Sequence, residues 1–277
     1  MIDRKYLRAG IDAIQQDGER SFLSGAYMEL YIASLPVLGP PVPPELSFTI
    51  AEVAHYLRDT LTILWRINWE KEMARAHHLS EEGWMYFGAS DVIGFHVTLR
   101  ALYNALARLI AASIGDPGMK PGKSFQRLRQ WATQPDHAQR LGQDLAGEIM
   151  AAHWFGSLRG VRDGLLYTAD HLMVFPQLDR IGFLIHRREF KNPRFDEALM
   201  VNENIVDFEL YAAAQMGQGI GLIERVCRII LTRTGLTGRG PEGRSGHPPL
   251  PVLRAWGERL LSQELPGDDP SPPATGR

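Results

Sequence analysis

The chain has 277 residues, of which 44% are hydrophobic and 22% are charged, and its formal net charge at pH 7 is −2. These values are typical of a globular protein, and a chain of this length buries enough surface to fold without a metal or a disulfide. The net charge excludes a global positive field that would attract nucleic acid or an anionic membrane, and it leaves room for a local basic patch.

Cysteine content and hydropathy indicate a soluble protein of a reducing compartment. Cys227 is the single cysteine of the sequence, so an internal disulfide is excluded, and its apolar neighbours predict a buried thiol. The N-terminus carries charges where a signal peptide needs an apolar core, and no apolar run approaches the ~20 residues of a membrane span. We therefore expect a cytoplasmic protein with no membrane contact.

Composition divides the chain into three parts. Residues 1–44 comprise a short amphipathic helix at 3–17 and a linker that ends in "PVLGPPVPP", where prolines fix φ and lack the amide donor. Residues 45–234 form the main body. Residues 235–277 are rich in Gly and Pro and predict a disordered tail. Within this tail, 250–263 has the apolar spacing of a short helix that would dock on this chain or on a protein partner.

Apolar periodicity predicts that the main body is α-helical. Apolar residues recur at spacings of three and four in several segments. The predicted helices cover about 49–77, a segment around 92–110 that ends at "GDPG", and about 124–133, 136–147, 148–168 and 198–233. Residues 171–190 are rich in β-favouring residues and predict a small hairpin. The expected fold class is an antiparallel helical bundle with a small β-hairpin insertion.

Two glycine-containing segments look like nucleotide-binding loops and fail the tests of spacing and context. In "GMKPGKS" (118–124) the first glycine is one residue too close for a P-loop, and a helix precedes it. We predict that Ser124 is the N-cap of the next helix instead. The segment "GQGIG" (217–221) lies inside a helix rather than after a strand, where small residues let two helices approach closely.

His77 and His78 stand beside Glu81 and Glu82, a composition that raises the question of a metal site. Adjacent side chains point to different faces of a helix, so the two histidines do not readily bind one ion. A solvated helix end is the favoured interpretation, and a metal-dependent helical-bundle enzyme is an alternative. We predict no metal and no other cofactor.

Polar residues also occur close to the apolar stripes of the two long helices. His96, Arg100 and Asn104 recur every four residues and form a polar row on the second long helix. On the first, Asn68 and Glu72 continue the core-facing line, where an unpaired polar group costs about 1–3 kcal/mol. Arg100 and Glu72 either satisfy each other, or the backbone, near the end of the bundle, or they line a cleft, and both interpretations stay open.

The stretch "SLRGVRDGLLYTADH" places several polar residues on one predicted helix. Arg159, Asp163 and Tyr167 are spaced by four and share a face, with Arg162 on the neighbouring row. His171 would continue the row if the helix extended that far. The residues form either a polar site or a solvated helix end.

The motif "RDGLLY" in this stretch resembles that of the HEPN superfamily, helical domains found in nucleases, toxins and phage-defence proteins. The mark of that superfamily is an Arg, a polar residue, three variable residues and a His near the end of a late helix. Arg162 and Asp163 match this mark, whereas Tyr167 stands where the histidine belongs. The likeness covers about residues 48–233, including the long early helix, the tryptophan-containing lead into the second helix and the closing helix.

The resemblance implies a homodimer in which the motif cleaves RNA across the interface without a metal. Arg162 would hold the phosphate, Asp163 would orient it, and Tyr167 or His171 would handle the proton. A phenol, with a pKa near ~10, is a poorer base at neutral pH than an imidazole near ~6.5. The remaining substrate-binding candidates are Arg159, Arg100, His96 and Asn104.

These observations lead to two functional hypotheses. The first is a HEPN-like protein that cleaves or binds RNA or a nucleotide, as a toxin or phage-defence component. The second is a non-catalytic helical scaffold that dimerises and docks a protein partner through 250–263. The missing histidine, the acidic net charge and the long tail favour the second hypothesis. Metal-free RNA cleavage that depends on Arg162 would favour the first.

Overall fold

The computed structural model describes residues 25–34, 42–115, 124–167, 181–184, 199–202 and 205–236. Helices make up 83% of these residues, and a small three-stranded antiparallel sheet accompanies them, which confirms the mainly-α fold class. The helices are α1 (Gly25–Ala33), α2 (Pro44–Arg75), α3 (Glu81–Ile114), α4 (Phe125–Ala132), α5 (Pro135–Leu141), α6 (Gln143–Ala151), α7 (Phe155–Tyr167) and α8 (Phe208–Thr234).

The long helices α2 and α3 form a hairpin, and their contact is the most extensive between elements in the described part of the chain. Helix α2 begins at Pro44, earlier than predicted, because the fixed φ and missing N–H of proline suit the first position of a helix. Helix α3 begins after Ser80, whose hydroxyl accepts a hydrogen bond from the N–H of Gly83 at 3.1 Å. It ends at Gly115, whose φ of 64° is typical of a helix C-cap. The stop predicted at "GDPG" is therefore confirmed.

The three short helices that follow differ in part from the prediction. The Ser124 hydroxyl accepts a hydrogen bond from an N–H in the first turn of α4, which confirms the predicted N-cap. The single helix predicted over 136–147 is wrong, because Gly142 adopts a φ of 82° and separates α5 from α6. The next predicted helix is also interrupted: Ala152 leaves the helical conformation, and α7 starts at Phe155.

A small sheet comes before the last helix. Its strands are β1 (Gly182–Leu184), β2 (Met200–Asn202) and β3 (Ile205–Asp207), in the order β1-β3-β2 with antiparallel neighbours. Strand β1 falls in the segment predicted as a hairpin, 171–190, most of which lies outside the described residues, and its partner is β3. The helix predicted from residue 198 begins only at Phe208. The Asp207 carboxylate caps it by accepting from the N–H of Leu210 at 3.1 Å.

Helix α1 was not predicted, and it packs against α8 in the same core as the other helices. Tyr27 and Leu30 are fully buried. The N–H of Ala26 donates to both oxygens of the Glu224 carboxylate on α8, at 3.1 and 2.9 Å. This charge-assisted bond satisfies a donor in the first turn of α1. The predicted helix at 3–17 and the tail with its docking segment lie outside the described residues.

Helix α8 is buried along most of its length and passes close to α3. A Cβ added at Gly219 would lie 3.0 Å from the hydroxyl oxygen of Tyr103, so a larger residue would force that ring to move. The place of "GQGIG" inside α8 confirms a close helix approach rather than a dinucleotide-binding loop. Cys227 is fully buried in α8, and burial raises the pKa of its thiol well above the usual range. The predicted buried thiol is confirmed.

Helix α3 is also long and apolar enough, over Glu82–Ile114, to cross a membrane by length and composition alone. Core helices of soluble proteins share this character, and 44% of its most apolar window is buried inside the protein. Part of the hydropathy of α3 comes from side chains in the common core, which include Val92, Phe95, Leu99, Leu102 and Leu106. The helix is therefore consistent with a soluble protein.

Candidate functional site

Helix α7 carries the motif residues and packs against α3. Its core-facing side chains are Leu158, Val161 and Leu165, which recur at spacings of three and four and are buried. This packing turns Arg159 and Asp163 away from the hydrophobic core. The local sequence thus determines which face of α7 is polar.

Three arginines from two helices converge on the carboxylate of Asp163. The Arg162 guanidinium donates to Oδ1, and Nε of Arg159 donates to Oδ2 at 3.3 Å. Arg100, from α3, places Nη1 at 3.9 Å from Oδ1, an ion-pair distance that is too long for a hydrogen bond. We call Arg100, Arg159, Arg162 and Asp163 the arginine cluster.

The arginine cluster itself contains three guanidinium groups and one carboxylate. The side chain of Arg162 is the least exposed, at 16%, and its Nε atom is buried without a hydrogen-bond partner among the described residues. The pair Arg159–Asp163 is more exposed and stabilises the helix by only about 0.3–0.5 kcal/mol. The ion pair therefore contributes little to stability, and the buried Nε of Arg162 is the donor in the arginine cluster that Asp163 does not use.

Guanidinium groups bind phosphate with paired N–H donors, so this arrangement suits a phosphate ligand. Tyr167 is the last residue of α7. The side chain of Tyr167 and all of His171 lie outside the described part of the structure. The structure therefore brings together three of the predicted site residues on α7 with Arg100.

The other two residues of the polar row on α3 have different surroundings. His96 is fully buried; its Nδ1 lies 2.7 Å from the Val92 carbonyl oxygen and its Nε2 lies 3.1 Å from the Tyr211 hydroxyl. Burial lowers the pKa of His96 to about 4, so the imidazole is neutral at pH 7. Asn104 accepts a hydrogen bond from the N–H of Phe125 at 3.2 Å, which fixes the start of α4.

The remaining polar candidates lie on α2 and in the loop after it. Glu72 is exposed and binds Arg75 at 2.6 Å, so its partner is not the one suggested by the sequence. His77 and His78 are exposed at the end of α2. In the part of the chain that the structure describes, no group of three or more His, Cys, Asp and Glu side chains is placed to hold a metal ion.

Sequence reasoning missed a second polar group, formed by Arg66, Glu70 and Asp91 beside a cavity of about 520 Å³. Arg66 and Glu70 are one turn apart on α2, and Asp91 lies on α3. The two sides of the hairpin meet here because these residues are about equally far from the connecting loop. A hairpin model of the two long helices would have brought them together.

No family model, no curated protein and no solved structure shows significant similarity to this chain. The likeness to the HEPN superfamily thus depends on the motif around Arg162 and on the order of the helices. The geometry of the arginine cluster is the remaining guide to function.

Proposed function

We propose that this protein binds RNA or a nucleotide by holding its phosphate at the arginine cluster. The observation that carries the proposal is the convergence of three guanidinium groups on one carboxylate, together with the buried Nε of Arg162, which has no hydrogen-bond partner among the described residues. A phosphate beside Arg162 would accept the N–H bond that Asp163 does not take. The overall charge of −2 confines this attraction to a local patch.

Binding is better supported than cleavage by the surroundings of the arginine cluster. RNA cleavage without a metal needs a group that takes the proton of the 2′-hydroxyl. His96 is the histidine nearest in sequence to Arg100, but its two ring nitrogens are engaged in the core and its low pKa makes it a weak base. In the motif, Tyr167 takes the place of the histidine that would accept this proton. Whether the protein also cleaves RNA is tested with the same RNA used for the binding experiment.

A titration with a labelled single-stranded RNA, followed by fluorescence anisotropy, tests the proposal. Arg100→Gln and Arg162→Gln are each expected to weaken binding by about tenfold and to reduce its dependence on salt. Arg108→Gln is the matched control, because Arg108 lies two turns further along α3 with 30% exposure against 26% for Arg100. Its guanidinium is neutralised by Glu52, at 2.6 and 2.8 Å.

Equal losses in the Arg100 and Arg108 variants would contradict a specific role for the arginine cluster. Incubation of the same RNA without metal tests cleavage in parallel. If the wild-type protein yields cleavage products and Arg162→Gln yields none, the ribonuclease activity that the HEPN resemblance implies would be established. Intact RNA together with tight binding would establish an RNA-binding protein. The toxin and phage-defence roles and the homodimer remain predictions of the same resemblance.

The second candidate function is a helical scaffold that dimerises or docks a protein. Exposed large apolar side chains on α2 and α3 favour it, because two of them, Trp69 and Phe87, line the same cavity and adjoining apolar surface marks interaction sites. Trp65 is 50% exposed and Tyr86 is 78% exposed. Sedimentation analysis that finds a dimer, together with no RNA binding, would select this function over the first.

A further inference from the structure

The open cavity between the end of α2 and the start of α3 combines buried charge with exposed aromatic rings. We call it the hairpin pocket; the lining residues that matter here are Arg66, Trp69, Glu70, His78, Phe87 and Asp91. Its volume of about 520 Å³ lies within the range of small-molecule sites. Asp91 is nine residues from Arg100, or roughly 14 Å along the axis of α3. The hairpin pocket is therefore separate from the arginine cluster.

The charged side of the hairpin pocket contains two carboxylates, and the Arg66 guanidinium hydrogen-bonds that of Asp91 but not that of Glu70. Asp91 is buried and accepts two hydrogen bonds from the Arg66 guanidinium, one of them from Nε at 2.5 Å. Glu70 is only 5% exposed, and its Oε1 lies 3.9 Å from Nε of Arg66. Its Oε2 is buried, and no N–H group of the described residues donates to it. Only the protonated form of Glu70 has a partner for its carboxyl group, because it can donate to the Asp91 carboxylate. A buried acceptor without a donor is costly, so this oxygen is suited to a ligand N–H.

The balance of charge selects the sign of the ligand. Arg66 is neutralised by Asp91, so an ionised Glu70 leaves these three residues with a net charge of −1. Burial and the nearby charge of Asp91 raise the pKa of Glu70 to about 7. An ammonium cation beside Glu70 would neutralise the excess negative charge and would donate a hydrogen bond to the carboxylate oxygen that lacks a donor.

Aromatic rings give the same hairpin pocket a surface that favours cations. Trp69 and Phe87 both line it and are about half exposed, at 48% and 53%. The faces of such rings attract ammonium groups, and their carbon surface binds the apolar part of an amine. Their exposure leaves ring surface available to a ligand.

We propose that the hairpin pocket binds an organic amine whose ammonium group donates to Glu70 and whose carbon skeleton packs against Trp69 and Phe87. This site goes beyond the proposed phosphate binding, because its ligand has the opposite charge and lies on a different part of α3. A nucleobase would also stack and donate N–H bonds to a carboxylate. The excess negative charge favours the amine over the nucleobase, and binding of a nucleoside is compared with binding of the amine.

Ligand-observed NMR on the full chain tests the proposal with phenethylamine and with 2-phenylethanol, its neutral analogue. We expect the amine to bind at least about tenfold more tightly than the alcohol, because a charge-assisted bond replaces a neutral one. We also expect the amine to bind about tenfold more tightly at about pH 8 than at about pH 6, since Glu70 ionises between them. Equal binding of the amine and the alcohol would overturn the proposal.

Matched variants locate the binding. Glu70→Gln keeps the shape of the side chain and is expected to abolish the preference for the amine, while Glu72→Gln removes an exposed carboxylate and should not. Trp69→Ala is expected to weaken binding about tenfold, whereas Trp65→Ala removes an equally exposed ring outside the hairpin pocket and should have no effect. Circular dichroism checks that each variant is folded, and Trp69→Phe, which keeps a ring, should restore most of the affinity. Tighter binding of guanosine than of the amine, or full affinity in Glu70→Gln, would overturn the proposal.

Discussion

The buried imidazole of His96 predicts a measurable dependence of stability on pH. In the folded protein burial lowers the pKa of His96 to about 4, against the usual 6.5 of an exposed histidine. Between these values the unfolded chain binds a proton that the folded chain does not bind, so stability falls as pH decreases from 6.5 towards 4. At about 1.36 kcal/mol per pH unit, the loss is about 2–3 kcal/mol between about pH 7.5 and about pH 4.5.

Urea unfolding of wild type and His96→Gln at these two pH values isolates this contribution. Glutamine stays neutral and retains a polar group near Val92 and Tyr211, so the variant should lose the dependence that His96 causes. The difference in unfolding free energy between the two proteins should therefore change by about 2–3 kcal/mol across the range. His153→Gln removes an exposed histidine and serves as the control. Parallel pH profiles of wild type and His96→Gln would refute the reasoning.

Three further predictions concern packing and charge. Gly219→Ala should destabilise the protein by about 1–2 kcal/mol in urea unfolding, because the added Cβ meets Tyr103. Gly147→Ala should instead stabilise α6 by about 0.5–1 kcal/mol, because the added Cβ points into open space. Asp163→Asn should tighten RNA binding by about three- to tenfold in the anisotropy assay, since the arginine cluster gains net charge. Glu224→Gln should cost about 1–3 kcal/mol in thermal unfolding, because it weakens the bonds to α1 and Arg228.

The long helices were predictable because their sequences have one apolar face and clear ends. Local rules alone predicted α3 from its apolar stripe and from the glycine that follows it. They also predicted the start of α4 from the serine before it. Helix α1 gave no such signal, because the apolar residues of "GAYMELYIA" are spread around the whole helix and do not form one apolar face. The break at Gly142 was missed because a glycine inside a periodic segment has either helical or left-handed φ, and the sequence does not distinguish them.

The candidate site was predictable only within one helix. The spacing of Arg159 and Asp163 predicts their contact, which the structure contains at 3.3 Å. The approach of Arg100 joins residues far apart in the chain, so it depends on how α3 packs against α7. His96 is on the same row of α3 as Arg100, yet Tyr211 and Phe183 pack against its ring. Helical period identifies a row of residues, and only the tertiary neighbours determine which members of that row are buried.

The two proposed sites on α3 respond differently to pH, and this difference separates them in one protein sample. The arginine cluster attracts phosphate through guanidinium groups, which stay charged at all physiological pH values. RNA phosphodiesters likewise keep their charge, so RNA affinity should change little between about pH 6 and about pH 8. The hairpin pocket attracts amines through Glu70, whose pKa of about 7 lies inside that range. A rising profile for the amine beside a flat profile for RNA would distinguish the two sites, whereas a flat profile for the amine would mean that Glu70 does not control its binding.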